Sequence, residues 1–418
     1  MIYHLLSFSY TVGRSIRNFS PGLGCITFCL YATICRVRRL AFTLHINQPP
    51  WQREDALREA AIKCYLPLIK LIKEKKHKVT LGVTLSLLEL MDKYGYQQWL
   101  GDIKELVRVG KIELVGSAAY NAPLTKIPAK FAEKQIILNE YALGYYFGKK
   151  GGFEGDPSIL IRDLKGFLPL NLVLNQSLTS LVGELGYEWV LVSSASLEPT
   201  EYMTKSGVYI LKGKDVQDKD MRAVVVNMEL SGLIENKADF QIAGFIDEII
   251  KHDSCVIVVR GESFGLQNDQ GILLFEHIMD SLKEKHVESL LVSEFVELEN
   301  ELGSIVIKEN VEKNEDNETK EKYNVLSEIF DIYNPTESAS GFAGAEDIAL
   351  WKDADLQKIE DEELRKSVKA DLLFNKCLSA ELLSEENVSV WEDFINVVQD
   401  DKLTESLKSK LNKLRPPQ

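Results

Sequence analysis

From about residue 40 the chain alternates short apolar runs with longer amphipathic stretches. Leu40–Ile46, Val79–Leu85, Ile112–Val115, Trp189–Val192 and Cys255–Val259 are brief runs rich in Val, Ile and Leu. Phe167–Pro169 opens a further strand-like piece, and Val208–Leu211 and Ala223–Val226 are two more strand candidates. Between them lie segments with apolar residues at helical spacing: Glu54–Lys76 (broken at Pro67), Ser86–Tyr94, Gln97–Val109, Lys130–Tyr146, Leu178–Leu185, Phe240–His252 and Gly271–Lys285. Buried strands alternating with helices predict an α/β fold with a parallel sheet. A strand count near seven fits a full or incomplete β/α barrel better than a small doubly wound domain.

The pattern stops near Ile307. The run KENVEKNEDNETKEK is charged and almost free of apolar residues, and ESASGFAGA (337–345) is rich in small residues. Together they predict a linker over 304–345, after a barrel over 40–303. A helical C-terminal region follows over 346–418, with apolar stripes at Leu356, Ile359, Leu364, Val368, Leu372, then Trp391, Phe394, Ile395, Val398, then Leu403, Leu407, Leu411, Leu414. These stripes read as packing faces.

Charge divides the chain differently. Residues 1–53 contain six Arg and no Asp or Glu, whereas the 418 residues together carry a net charge of −14. Residues 1–39 read as a leader or an over-extended start, with a signal anchor on Gly22–Cys35 as the alternative. Against that anchor, the cluster Arg36–Arg39 follows the apolar run instead of preceding it. No apolar run reaches the ~20 residues of a membrane span. The acidic balance argues against a nucleic-acid partner held by phosphate neutralisation. Six scattered Cys suggest no disulfide framework and point to a cytoplasmic compartment.

Candidate chemistry sits where strands end. HINQPPW (45–51) places His45, Gln48 and Trp51 at one rim, a combination of imidazole, amide and indole suited to sugar hydroxyls and sugar faces. Three further stretches follow: GKIELVGSAAYNAPLTKIP (110–128), GFLPLNLVLNQSLTSLVGELGYEWVLV (166–192) and VIVVRGESFGLQN (256–268). In this order, over roughly residues 40–270, the four stretches resemble glycoside hydrolase family 57. The resemblance implies an incomplete (β/α)7 TIM-like barrel followed by a helical region, and α-glucan-active retaining chemistry. It implies no cofactor and no metal, and the six His include no pair at metal-ligand spacing.

Retaining hydrolysis requires two carboxyl groups ~5–5.5 Å apart. Counted back from Gly186, the resemblance puts the nucleophile at Asn171, beside Leu170, and it puts the acid at Arg260. An amide forms no glycosyl ester, and a guanidinium donates no proton near neutral pH. Substrate-contacting places have changed too: Tyr120-Asn121-Ala122 stands for Tyr-His-Pro, Leu266-Gln267 for His-His, and Gly82 and Thr84 for polar Asn. His45, Gln48, Trp51, Glu113, Tyr120 and Glu262 remain as carbohydrate-binding candidates. Arg260 and Glu262, two apart in an extended segment, are expected to pair. The expectation is a catalytically inactive relative that binds an oligo- or polysaccharide. The alternative is an active hydrolase or glucanotransferase with relocated carboxylates, Glu229 and Glu262, Glu184 reading as a surface helix residue.

Overall fold

The computed structural model describes residues 38–148, 164–198, 205–212, 221–236, 242–309, 362–379 and 388–398. The expected leader, apart from Arg38 and Arg39, most of the charged linker and the Leu403–Leu414 stripe lie outside these residues.

β1 (Arg38–Ile46), β2 (Val79–Val83), β3 (Ile112–Leu114), β4 (Gly166–Phe167), β5 (Trp189–Val192), β7 (Met221–Val225) and β8 (Ser254–Arg260) form a ring of seven co-directional strands. The ring is only loosely joined in two places. A single bridge, Gly116 to Phe167, links β3 to β4. Between β7 and β8 the described residues form no ladder. Instead, Asn227 N donates to Val256 O (2.8 Å), and Val256 N donates to Ser206 Oγ (3.1 Å). The barrel is therefore incomplete, as expected. β6 (Gly207–Leu211) runs antiparallel to β7 and carries β10 (Ser304–Ile305) on its other side, while β9 (Val287–Leu290) pairs with the first half of β1. Residues 304–309 thus belong to the barrel: Ile305 and Ile307 are buried, and Leu197 bridges to Ile307.

Strand alternation sorts side chains into two apolar groups. Ala41, Val115, Leu168, Trp189, Leu191, Val224 and Val256 pack inside the ring. Leu40, Phe42, Leu44, Val79, Leu81 and Ile257 face outward against the helices. The same parity turns Thr43 and His45 of β1, and Val258 and Arg260 of β8, toward the barrel axis.

Helix α1 (Glu54–Ala60) continues through a π-helical turn at Ala61–Tyr65 into α2 (Leu66–Lys75). The expected break at Pro67 does not occur. Proline has no N–H for the preceding turn and crowds the carbonyl four residues back, and the wider π turn just before it accommodates both effects. The remaining helices are α3 (Leu85–Lys93), α4 (Gln97–Arg108), α5 (Ala129–Phe147), α6 (Gln176–Glu184), α7 (Met228–Asn236), α8 (Ile242–Ile249), α9 (Gly271–Glu284) and α10 (Val292–Leu298). In the C-terminal region, α11 (Glu362–Cys377) and α12 (Val388–Val398) pack against each other, and α11 packs against α5. No described helix is long and apolar enough to cross a membrane.

Candidate functional site

At the C-terminal ends of the ring strands opens a cavity of about 1550 Å³. β1 and β8 supply its floor. His45 and Arg260 are direct neighbours across these strands, and the chain running on from each adds Asn47, Gln48 and Glu262. One wall is the loop after β4, carrying Asn171. Another is the face of α7 formed by Met228, Ser231, Gly232 and Glu235, spaced one and two helical turns apart. Asn121, Gln267 and Lys308 also line it. Among the described residues that line the cavity there is no Trp, Tyr or Phe.

Asn171 and Arg260, the two positions where the resemblance predicts carboxylates, open into this one cavity. Asn171 is exposed and takes the left-handed backbone conformation (φ 52°), a region that Asn tolerates better than most residues. The following Leu172 is also left-handed (φ 58°) and is buried. Two consecutive non-glycine residues in that region mark a locally strained loop at the cavity wall.

Arg260 does not pair with Glu262 as expected. Its partner is Glu235 of α7, whose Oε1 accepts from the Arg260 backbone N–H (2.8 Å) and lies 3.5 Å from its Nε. Glu262 turns the other way. Its Oε1 accepts from the Tyr65 hydroxyl (2.6 Å) and from the Asn47 N–H (3.0 Å). Burial raises the Glu262 carboxyl above its usual range, partly offset by these hydrogen bonds. Gln48 Nε2 donates to the same Tyr65 oxygen (2.6 Å). The π-helical turn ends on Tyr65, which sets that hydroxyl under the floor. His45 is pushed down to about 4, first by burial and then by the Arg260 charge, so it stands as a neutral imidazole above pH 5.

The other candidates lie elsewhere. Glu113 points into the opposite end of the barrel, where its Oε2 accepts from Thr80 Oγ1 (3.0 Å) and Ser293 N (3.1 Å). It is a half-buried anchor between β2, β3 and α10. Tyr120 is fully buried, its hydroxyl 3.5 Å from Glu89 Oε1 and its ring beneath Lys376. Trp51 is half-buried against the helix-side core and is not among the lining residues. Glu229 is exposed in the first turn of α7, on a different face from Glu235, and Glu184 is exposed on α6; neither lines the cavity. Of the six carbohydrate-binding candidates, the structure brings together His45, Gln48 and Glu262. It adds Asn47, whose Oδ1 accepts from Thr84 Oγ1 (2.8 Å), and Glu235. The Met228–Ser231–Gly232–Glu235 spacing was the available signal for Glu235.

An "Alpha-amylase" of Pyrococcus abyssi (strain GE5 / Orsay) is 25% identical over 239 residues, covering 54% of this chain and 32% of the relative. The chain thus spans about a third of the length of that curated relative. Among solved structures, the 4-alpha-glucanotransferase of Thermococcus litoralis is similar at TM-score 0.61 and 18% identity, over 86% of this chain and 59% of that one. The GH57-type branching enzyme of Pyrococcus horikoshii is similar at TM-score 0.61 and 14% identity, over 90% of this chain and 95% of that one. The AmyC alpha-amylase of Thermotoga maritima is similar at TM-score 0.59 and 11% identity, over 90% and 97%. At these identities the structural likenesses speak for the barrel fold. The sequence profile described as Glycosyl hydrolase family 57 matches residues 40–308, well over half of the sequence, and the chain belongs to that family.

Proposed function

We propose that this protein binds an α-glucan or a shorter maltooligosaccharide in the barrel-end cavity without cleaving it. One observation carries the reading: the two places where the family's carboxylates are expected share one cavity and hold Asn171 and Arg260. Four carboxylates are among the described lining residues, Glu198, Glu235, Glu262 and Glu309; Glu262 is engaged by Tyr65 and Asn47, and Glu235 by Arg260. A double displacement needs a free nucleophile and a proton donor on opposite sides of the scissile bond. The ligand class follows from the names of the relatives, an amylase, a glucanotransferase and a branching enzyme. It also follows from a lining rich in neutral donors and acceptors: Asn47, Gln48, Asn121, Asn171, Ser193 and Gln267.

The test combines turnover and binding. Purified protein incubated with starch, maltoheptaose and an aryl α-glucoside should release no new reducing ends, while calorimetry should detect maltoheptaose binding that Arg260→Met and Asn171→Ala weaken. Hydrolysis or transfer that disappears in Glu235→Gln or Glu262→Gln would establish an active enzyme built on these two carboxylates instead. Absence of any saccharide binding would remove the ligand assignment.

A further inference from the structure

The helix α5 buries three polar side chains on the face it turns to the barrel: Gln135, Asn139 and Glu140. Burying such groups costs stability unless each is hydrogen-bonded. Gln135 uses both ends. Its Oε1 accepts from the Tyr120 N–H (3.1 Å), while its Nε2 donates to the backbone oxygen (2.9 Å) and Oδ1 (3.2 Å) of Asn375 in α11. Its own carbonyl accepts from Ala119 N (3.0 Å). Asn139 holds the other end of the same loop, donating to Ser117 Oγ (3.0 Å) and accepting from Leu85 N (2.9 Å). The loop 117–121 that these bonds hold leads into Asn121, left-handed at φ 56° and lining the cavity.

The far side of this bridge is the C-terminal region. α11 sits on α5 through Phe374 against Phe131 (ring centroids 5.3 Å apart), and Trp391 and Phe394 of α12 complete the aromatic cluster. Lys134 faces Asp371 (3.4 Å), and Lys376 faces Glu89 (3.2 Å) while lying over the Tyr120 ring. Asn375 is fully buried, and its Nδ2 donates to Asp371 O (2.9 Å), which orients its acceptor toward Gln135. Tyr120 therefore serves as part of the seat for these helices.

We propose that Gln135 is a positioning residue through which the docked helices α11 and α12 set the backbone of the cavity-wall loop at Asn121. Packing alone would not require a side chain whose one amide end holds the loop and whose other end is held by α11. With α11 away, the Nε2 of Gln135 loses both acceptors, the side chain is free to turn, and the Tyr120 amide loses its partner. The loop would then be held by Asn139, by the Ala119 N–H on the Gln135 carbonyl and by the Ser86 N–H on the Ala119 carbonyl (3.1 Å), with the Tyr120 amide released. This coupling is independent of what the cavity binds, so it stands or falls separately from the glucan reading.

Hydrogen exchange on the full chain, read by mass spectrometry, tests it without any ligand. Asn375→Ala keeps the backbone acceptor of Gln135 but removes the Oδ1 acceptor and the bond to Asp371 O that fixes this turn of α11, and it should speed exchange of the peptide spanning 117–121 severalfold. Peptides from β1 and β2 should exchange as in the wild type. Gln135→Met should do the same. Gln135→Glu adds a readout that a packing role would not move: protonated, it can still donate to Asn375, and ionised, it cannot. Its loop should therefore be protected at acid pH and lose protection as the carboxyl ionises. Unchanged exchange at 117–121 in Asn375→Ala would overturn the proposal, as would an increase shared equally by β1 and β2. Should Asn375→Ala fail to fold, Lys376→Met loosens the same docking from the Glu89 side. It should raise exchange at 117–121 severalfold, and no change there would be equally decisive against it.

Discussion

The hydroxyl of Tyr65 donates a 2.6 Å hydrogen bond to Oε1 of Glu262, joining the end of a π-helical turn to the strand-end segment after β8. That contact ties a glutamate at the cavity floor into a hydrogen-bond network with Tyr65 and Asn47. Tyr65→Phe leaves its oxygen with the Asn47 N–H alone and leaves Gln48 Nε2 without an acceptor. It should cost about 1–3 kcal/mol in urea unfolding. Glu262→Gln keeps an acceptor for both donors and removes a carboxyl that burial disfavours as an anion. It should be neutral or stabilising at pH 8. A larger loss in Glu262→Gln than in Tyr65→Phe would assign Glu262 a charge-dependent role.

His45 gives a pH signature. Its folded-state value of about 4 lies below the ordinary 6.5, so the unfolded chain binds the proton more readily. The neutral imidazole's contribution is fully present above pH 6.5 and is lost as pH falls from 6.5 toward 4. The stability difference between wild type and His45→Gln, from urea unfolding at pH 7, 5.5 and 4, should shrink by on the order of 2–3 kcal/mol across that range. A difference independent of pH would mean that His45 titrates normally.

Glu140 has the opposite sign. Burial raises its carboxyl to about 7, despite the 2.5 Å hydrogen bond from Tyr187. Its folded form holds the proton more tightly than the unfolded chain. Its contribution is therefore present below the usual 4.5 and is lost as pH rises from 4.5 through 7. Glu140→Gln, which still accepts from Tyr187, should raise the melting temperature at pH 8 and change it little at pH 4.5. Equal effects at both values would contradict the assignment.

Asn171 occupies backbone space where a Cβ is disfavoured. Asn171→Gly should be neutral or stabilising, whereas Asn171→Leu should cost about 1 kcal/mol or more in thermal unfolding. Asn171→Glu carries the same strain, so a variant pairing it with Arg260→Asp is expected to fold less stably than the wild type even where it restores two carboxyl groups. A stabilised Asn171→Leu would show that the loop adopts another conformation in solution.

The ring strands were legible because buried parallel strands read as undiluted aliphatic runs; of the runs between Leu40 and Val259 only Val208–Leu211 lies outside the ring, in the antiparallel β6. β9 escaped notice because Val287 and Leu290 flank Glu288 and Ser289, too short and too polar a signal. The candidate site divided according to which end of a strand each residue occupies. His45 and Arg260 stand at C-terminal ends, and their cavity placement follows from parity. Glu113 faces the axis too, but from the N-terminal end, a distinction that residue type does not carry. Tyr120 and Trp51 have the chemistry of sugar-binding groups, yet their rings meet α11 and the helix-side core, partners far away in sequence. Glu235 shares a helical face with Met228, Ser231 and Gly232, but the spacing alone does not say that α7 turns that face to the cavity.

The π-helical turn at Ala61–Tyr65 makes the segment length-sensitive in a way that substitution is not. Each residue of an α-helix advances about 100° around the axis. Deleting one residue there, and so restoring an ordinary helix, would swing either Tyr65 or the apolar side of Leu57 and Ala60 out of register with the barrel. Shortening this stretch is thus a far graver lesion than any conservative exchange within it, and sequences sharing this floor should differ here in spelling rather than in number of letters.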